Sequence, residues 1–479
     1  MSFNSFLFLL VFTPITLLIY WMLKKKGLKN EAIWFLVLAS LFFYGYKNLS
    51  GLAVLVVSLG VNYAVTYSLL KGASKKVLAA GIIFDILLLA VFKYGPLTGA
   101  PFFGIVTAPG ISFYTFCEIA LVMECYRGTV EGLSFREYSF LMVFFPKMIE
   151  GPIVRPDDIL KQESGLTYES MNIERVYRLI VLFTLGCFKK VIIADTLGGA
   201  VDYGFTNLSS LHTGEALIVM LSYTLQLYFD FSGYCDMAMA IAGAFGFELP
   251  LNFDSPYRAR NILEFWKKWH ISLTTFFTRY LYIPLGGNRK GRLRTYINFL
   301  IVFLVSGLWH GAGWQFIIWG MMHGVLYLIC RAIADISGRR ELLGGKIGKI
   351  IATAGTFLYV NVAWVFFRAP KVEDAIHLFK DMGECWFPRF NYGLAKCFNI
   401  DELWYLLKIF HLDGFNNSIY ILMFLILAVL MIIVFAAPTA VEFAKKCRIN
   451  WGTTVLITIL FIWCILSFEG VATYLYVNF

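Results

Sequence analysis

An all-α polytopic membrane protein is the fold class the sequence predicts, and three observations predict it. Of 479 residues, 59% are hydrophobic and only 15% are charged, against about 25% charged in an ordinary soluble domain. The mean hydropathy is +0.70. Apolar runs close to the roughly 20 residues needed to cross a bilayer recur from end to end. No polar stretch is long enough for a separate soluble domain, so residues 1–479 read as one integrated bundle in a lipid bilayer.

The first run, residues 3–23, has no basic residue before it and ends in Lys24, Lys25 and Lys26. A cleaved signal peptide would carry its charge first, so a retained span with its N-terminus outside is expected. Spans at 31–46, 51–70 and 77–92 follow, ended by Lys47, by Lys71, Lys75 and Lys76, and by Lys93. Basic-rich and basic-poor loops alternate, which assigns the first and third loops to the cytoplasm. Between 95 and 165 the pattern breaks, because Pro96, Pro101, Pro109, Pro146, Pro152 and Pro156 interrupt runs too short to span. Irregular backbone at membrane depth survives only where protein or a cavity surrounds it, so stretches such as Ser139 to Phe145 predict re-entrant pieces around a chamber. Further spans are expected at about 176–194, 214–245, 296–309, 312–334, 350–368, 418–437 and 453–468, with a polar interfacial insertion at 370–412. Lys445, Lys446 and Arg448 mark another cytoplasmic loop.

Composition also excludes. The 9 cysteines are scattered, odd in number and without a CxxC pair, so neither a disulfide framework nor a zinc site is expected. No HExxH occurs, and no metal is expected. The net charge of +10 reads as loop lysines and arginines rather than nucleic-acid binding. Without G-x-S-x-G, a P-loop or a dinucleotide glycine pattern, hydrolase, ATPase and dehydrogenase readings have no support.

The candidate chemistry centres on Ser306-Gly-Leu-Trp-His-Gly311 and the following Trp314. An ionisable ring in apolar sequence marks a functional site by default, and a neutral imidazole at His310 is suited to accept a proton. The alternative is a structural histidine bonded to a carbonyl. His323 reads as a packing histidine. Residues 261–277 divide into an apolar arc, with Phe265, Trp266, Trp269 and Leu273, and a polar one with Glu264, Lys267 and Lys268. One interfacial helix is expected there, its tryptophans at headgroup level and His270 at the edge of the arc, able to turn inward. Gln226, Asp230 and Tyr234 follow i,i+4 spacing. They form either a structural strut or a carboxylate that orients a histidine or pairs with an arginine. Lys267, Lys268, Arg289, Lys290 and Arg292 belong to a basic cluster around the glycine-flanked loop Gly286–Gly291. They would hold the phosphates of a donor such as coenzyme A, or else touch anionic lipid.

Five stretches then occur together: Gly110-Ile-Ser-Phe-Tyr-Thr-Phe116, Phe144-Phe-Pro-Lys-Met-Ile-Glu-Gly-Pro-Ile-Val-Arg155, Tyr228-Phe-Asp-Phe-Ser-Gly-Tyr234, the run from Phe265 through His270 and Leu273 to Arg289, and Ser306–Gly311. In this order they make residues 95–330 closely resemble the membrane-bound O-acyltransferase (MBOAT) family, in its bacterial branch of alginate O-acetylation and teichoic-acid D-alanyl transfer proteins. The family often has glutamine and aspartate where this chain has Cys117 and Glu124. The resemblance implies a ring of about 10–12 tilted helices, with re-entrant and interfacial helices around a thin centre, in a bacterial cell membrane. It implies that His310 is the catalytic base and His270 the second histidine of the chamber, with Trp309, Trp314, Ser306, Asp230 and Gln226 around it.

The activity so implied is acyl transfer from a cytosolic thioester, acetyl-coenzyme A, to a hydroxyl of an extracellular or cell-wall polysaccharide, with no tightly bound cofactor. An extracytoplasmic esterase-like (SGNH-type) partner is expected to complete the transfer, since this chain has no room for that domain. D-alanyl transfer from a carrier-protein thioester is the alternative within enzymes. Export of the polysaccharide or its donor without catalysis is the alternative outside them.

Overall fold

The computed structural model describes residues 1–99, 108–163, 171–338, 343–388, 390–411 and 417–468. Pro101 of the proline-rich region and part of the 370–412 insertion lie outside the described residues.

The described chain is helical throughout. A π-turn at Phe8–Phe12 runs into α1 (Thr13–Lys25), followed by α2 (Lys29–Gly45), α3 (Leu49–Leu70), α4 (Lys75–Tyr94), α5 (Ile111–Tyr126) and α6 (Phe135–Val143). Next come α7 (Ile173–Phe188), α8 (Asp195–Thr206) and the 32-residue α9 (Thr213–Ala244). The short helices α10 (Ile262–Lys268) and α11 (Ile271–Phe277) precede α12 (Arg292–His310), α13 (Trp314–Ser337), α14 (Gly345–Arg368) and α15 (Val372–Gly383). α16 (Ser418–Ala436) and α17 (Trp451–Leu466) close the described chain.

Seven described helices are long and apolar enough to cross a membrane: α1 with its π-turn, α3, α4, α12, α13, α14 and α16. The other expected spans are helices too, but they differ for a physical reason. α9 is buried along nearly its whole length, packed against α7, α8, α14 and α15. A helix surrounded by protein need not present an apolar face to lipid, so it can carry Gln226, Asp230 and Asp236. α2, α7 and α17 have 17, 16 and 16 residues.

The stretch Ser139 to Phe145 falls on a broken helix. α6 stops at Phe144, whose φ of −52° and ψ of 107° are not helical, and a short turn Phe145–Met148 follows. Both pieces lie in the core, and Ser40 Oγ accepts the Phe145 N–H at 3.1 Å. The polar insertion folds as α15 and short helices that dock on the start of α9. Thr213 Oγ donates to the Asp381 carbonyl at 3.0 Å, and Tyr203 OH donates to Asn391 Oδ1 at 2.9 Å.

Residues 261–277 correct the expectation of one interfacial helix. The chain breaks at His270, which takes the left-handed conformation φ 46°, ψ 54°, and α10 and α11 lie on either side. Long-range bonds impose the break: Asp254 N–H donates to Lys268 O at 3.0 Å, and Ile271 N–H to Asn252 O at 3.0 Å. Trp266 and Trp269 are buried against Trp319, Trp364 and Phe253 rather than set at headgroup level. The amphipathic arc was real, but it faces protein, not lipid.

Candidate functional site

Two histidines meet the same indole. His310 is the last residue of α12, and the chain leaves it through extended Gly311 before restarting at Trp314. A Cβ on Gly311 would collide with the Phe316 ring, so this turn needs glycine. The His310 ring lies 4.5 Å from Trp309, 4.9 Å from Trp319 and 4.9 Å from Phe367, centroid to centroid, and is 3% exposed. His270 lies 6.4 Å from the same Trp309 and 4.8 Å edge-on from Phe231 of α9. Its inward turn, expected from its place on the arc, is complete at 1% exposure.

Asn252 fixes the His270 ring. Its Oδ1 lies 3.2 Å from His270 Nδ1 and also accepts from Ser272 N–H at 3.2 Å and Ser272 Oγ at 2.9 Å. A carboxamide oxygen can only accept, so Nδ1 carries the proton and Nε2 is the basic nitrogen of the neutral ring.

The glycines around His310 serve packing. α12 and α13 cross where Gly307 faces Phe316 O and Gly320 faces Phe303 O; a Cβ at either would come within 2.5 Å of that oxygen. His323 on α13 is buried against Trp266 and Trp319, in line with a packing role. It and His310 sit on two helices that meet, both touching Trp319, rather than along one straight helix.

The other expected residues divide. Trp309 walls the site; Trp314 does not, being 73% exposed as the first residue of α13. The extended Gly311–Gly313 turn carries it away from the ring. Asp230 is met by a lysine: Lys190 Nζ lies 2.6 Å from Asp230 Oδ1 and 2.8 Å from Asp195 Oδ1, all three side chains well shielded. Gln226 likewise points at Gly198 of α8. α9 presents Gln226 to α8 and Phe231 to His270.

Ser306 lies one turn before His310 and lines a cavity of about 90 Å³ with Lys267, Tyr282, Phe299, Val302 and Phe303. A second cavity of about 160 Å³ is lined by Arg155, Asp158, Ile271, Ser272 and Tyr280. α11 separates the two, with His270 as its N-cap. Lys268 is occupied by Glu264 at 3.2 Å. Burial opposes ionisation of Glu264, but the Arg260 amide and Lys268 outweigh it and hold the carboxyl below its usual range. Arg289, Lys290 and Arg292 are exposed at the far end of α12, about 27 Å from His310 at 1.5 Å per residue.

Sequence reasoning missed Lys93, which served there only to mark the end of a span. Its Nζ lies 5.3 Å from the Trp309 ring centroid, and the neighbouring Tyr94 OH donates to Leu308 O at 2.6 Å. Its place just before Gly95-Pro96, where the regular spans end, was the available signal.

Among the described residues no group of three or more His, Cys, Asp or Glu side chains could hold a metal ion. Residues 5–365 match the family model described as MBOAT, membrane-bound O-acyltransferase family. The chain is 38% identical over 422 residues to a peptidoglycan O-acetyltransferase of Helicobacter pylori, covering 79% of each chain. It is 33% identical over 448 residues to a probable alginate O-acetylase of Pseudomonas aeruginosa, covering 89% of this chain and 81% of that one. A teichoic acid D-alanyltransferase of Bacillus subtilis is 29% identical over 272 residues, which is 53% of this chain and 68% of that one.

Proposed function

The chain belongs to the membrane-bound O-acyltransferase family, and from that premise we propose that it moves an acetyl group from acetyl-coenzyme A in the cytosol to a hydroxyl of a cell-envelope polysaccharide, with His310 as general base. One observation carries this reading. Ser306, one turn from His310, lines a cavity of about 90 Å³ together with Phe303 and Phe299 of α12 and with Tyr282, whose carbonyl accepts the Gly287 N–H of the basic loop at 2.9 Å. A donor whose phosphates rest on Arg289, Lys290 and Arg292 would lay its thioester arm along that face, with Lys267 beside it.

His310 takes the proton of the acceptor hydroxyl as its oxygen attacks the thioester carbonyl. The C–S bond breaks, the thiolate takes the proton back from the imidazolium, and an ester and a free thiol result. The carbonyl end of α12, where His310 sits, stabilises the positive ring formed in between. Aromatic walls from Trp309, Trp319 and Phe367 exclude water.

The relatives with O-acetyl names cover about four-fifths of the chain, the D-alanyl relative about half, which favours acetyl over D-alanyl. In this reading the N-terminus lies outside, and an extracytoplasmic esterase-like (SGNH-type) partner carries the acetyl group onward to the glycan. Membranes holding the full chain, given labelled acetyl-coenzyme A, should transfer label to the glycan fraction, and His310→Ala should cut the rate by about 10²–10⁴-fold at equal protein level. Retained transfer in His310→Ala would remove the histidine from catalysis. Labelling only from a charged carrier protein would replace the donor.

A further inference from the structure

We propose that Asp85 and Glu118 form a proton-binding site in the membrane interior, separate from the His310 centre, in which one of the two carboxyls is protonated beside Asn62 and Ser58. Asp85 stands near the middle of α4, a helix of membrane-spanning length and composition. Asn62 Nδ2 of α3 donates to Asp85 Oδ1 at 2.7 Å. Ser58, one turn earlier on α3, places its Oγ 3.0 and 2.8 Å from the two oxygens of Glu118 on α5. Side chains at i and i+4 sit about 6 Å apart, so acids from two helices meet one face of a third about a turn apart. All four residues are at most 1% exposed.

Among the described residues no lysine, arginine or histidine makes an ion pair with either carboxyl. Lys147 is the ammonium that acts on Glu118 electrostatically, and two of its three donors go to Met142 O at 3.2 Å and Cys117 Sγ at 3.8 Å. The remaining titratable neighbours are the phenols of Tyr44, Tyr114 and Tyr138. Two like charges so placed cannot both persist in an apolar interior. A second observation points to the proton. Asn62 Oδ1 and Asp85 Oδ2 are buried acceptors with no donor among the described residues. Protonating one carboxyl removes a charge and supplies the missing O–H donor in the same step. The same helix α5 carries Phe113 and Phe116, which pack on Trp309.

Infrared spectroscopy of the purified full chain at neutral pH tests this. The wild type should show a protonated-carboxyl C=O band that is lost in the difference spectrum of Asp85→Asn/Glu118→Gln. Absence of the band in the wild type, with or without a sodium-dependent rise in Tm, would overturn the proposal, as would its undiminished persistence in the double variant. Should the double variant fail to accumulate, each single variant must shift or abolish the band; an unaltered band in both would overturn the proposal equally.

Discussion

Lys93 holds its ammonium over the indole of Trp309, 5.3 Å from the ring centroid. This places a positive charge from α4 on the residue that touches both His310 and His270. Such contacts contribute about 0.5–2 kcal/mol, so Lys93→Met should lower the Tm measurably while Tyr94 still anchors the helix end on Leu308. Denaturation midpoints measure it, and an unchanged midpoint takes Lys93 out of that contact.

Ser306→Leu should raise KM for the thioester. The cavity at Ser306 is only about 90 Å³, and crowding it costs about 1–3 kcal/mol, equivalent to roughly five- to 150-fold in binding. A variant that binds donor normally would show that the arm takes another route.

Asp230→Ala should unfold rather than inactivate. Removing one partner of a buried ion pair costs about 3–5 kcal/mol, and Lys190 would keep only Asp195. A marked fall in Tm, with unchanged kcat per folded molecule, is the expected result. A stable protein with abolished turnover would return Asp230 to the chemistry.

Asn252→Ala removes an acceptor shared by the His270 ring and both Ser272 donors. At about 1 kcal/mol per bond, and more for buried donors left unpaired, the loss is roughly 2–4 kcal/mol. Denaturation midpoints measure it, and a neutral result would show that the left-handed His270 turn is held by other means.

Trp314→Ala should change neither stability by more than about 0.5 kcal/mol nor kcat. The side chain is exposed and α13 starts without its help. Activity assays of the variant decide between this placement and a chamber wall.

Much of this site was legible before any coordinates. Ser306–Gly311 marked His310, and the polar positions of α9 marked a buried network. The arc of 261–277 marked an apolar face but not its partner, because Phe265 and Trp269 look the same whether they meet lipid or Trp364. Lys93 was read as a loop marker, since nothing local tells a snorkelling lysine from one laid on an aromatic ring. Trp314 was misplaced because a two-residue change of backbone direction at glycine is not written in the side chains that follow.

The sequence by itself determined a helical membrane protein, its approximate spans and the histidine at the end of α12, because hydropathy and glycine spacing act over one or two turns. Which side chains meet was decided only by tertiary structure. Lys190 rather than a histidine pairs with Asp230, Trp309 collects both imidazoles, and acids from α4 and α5 converge on α3. Apart from that of Trp309 with its neighbour His310, those contacts join residues far apart in the chain, and their free energy exists only once the helices are packed.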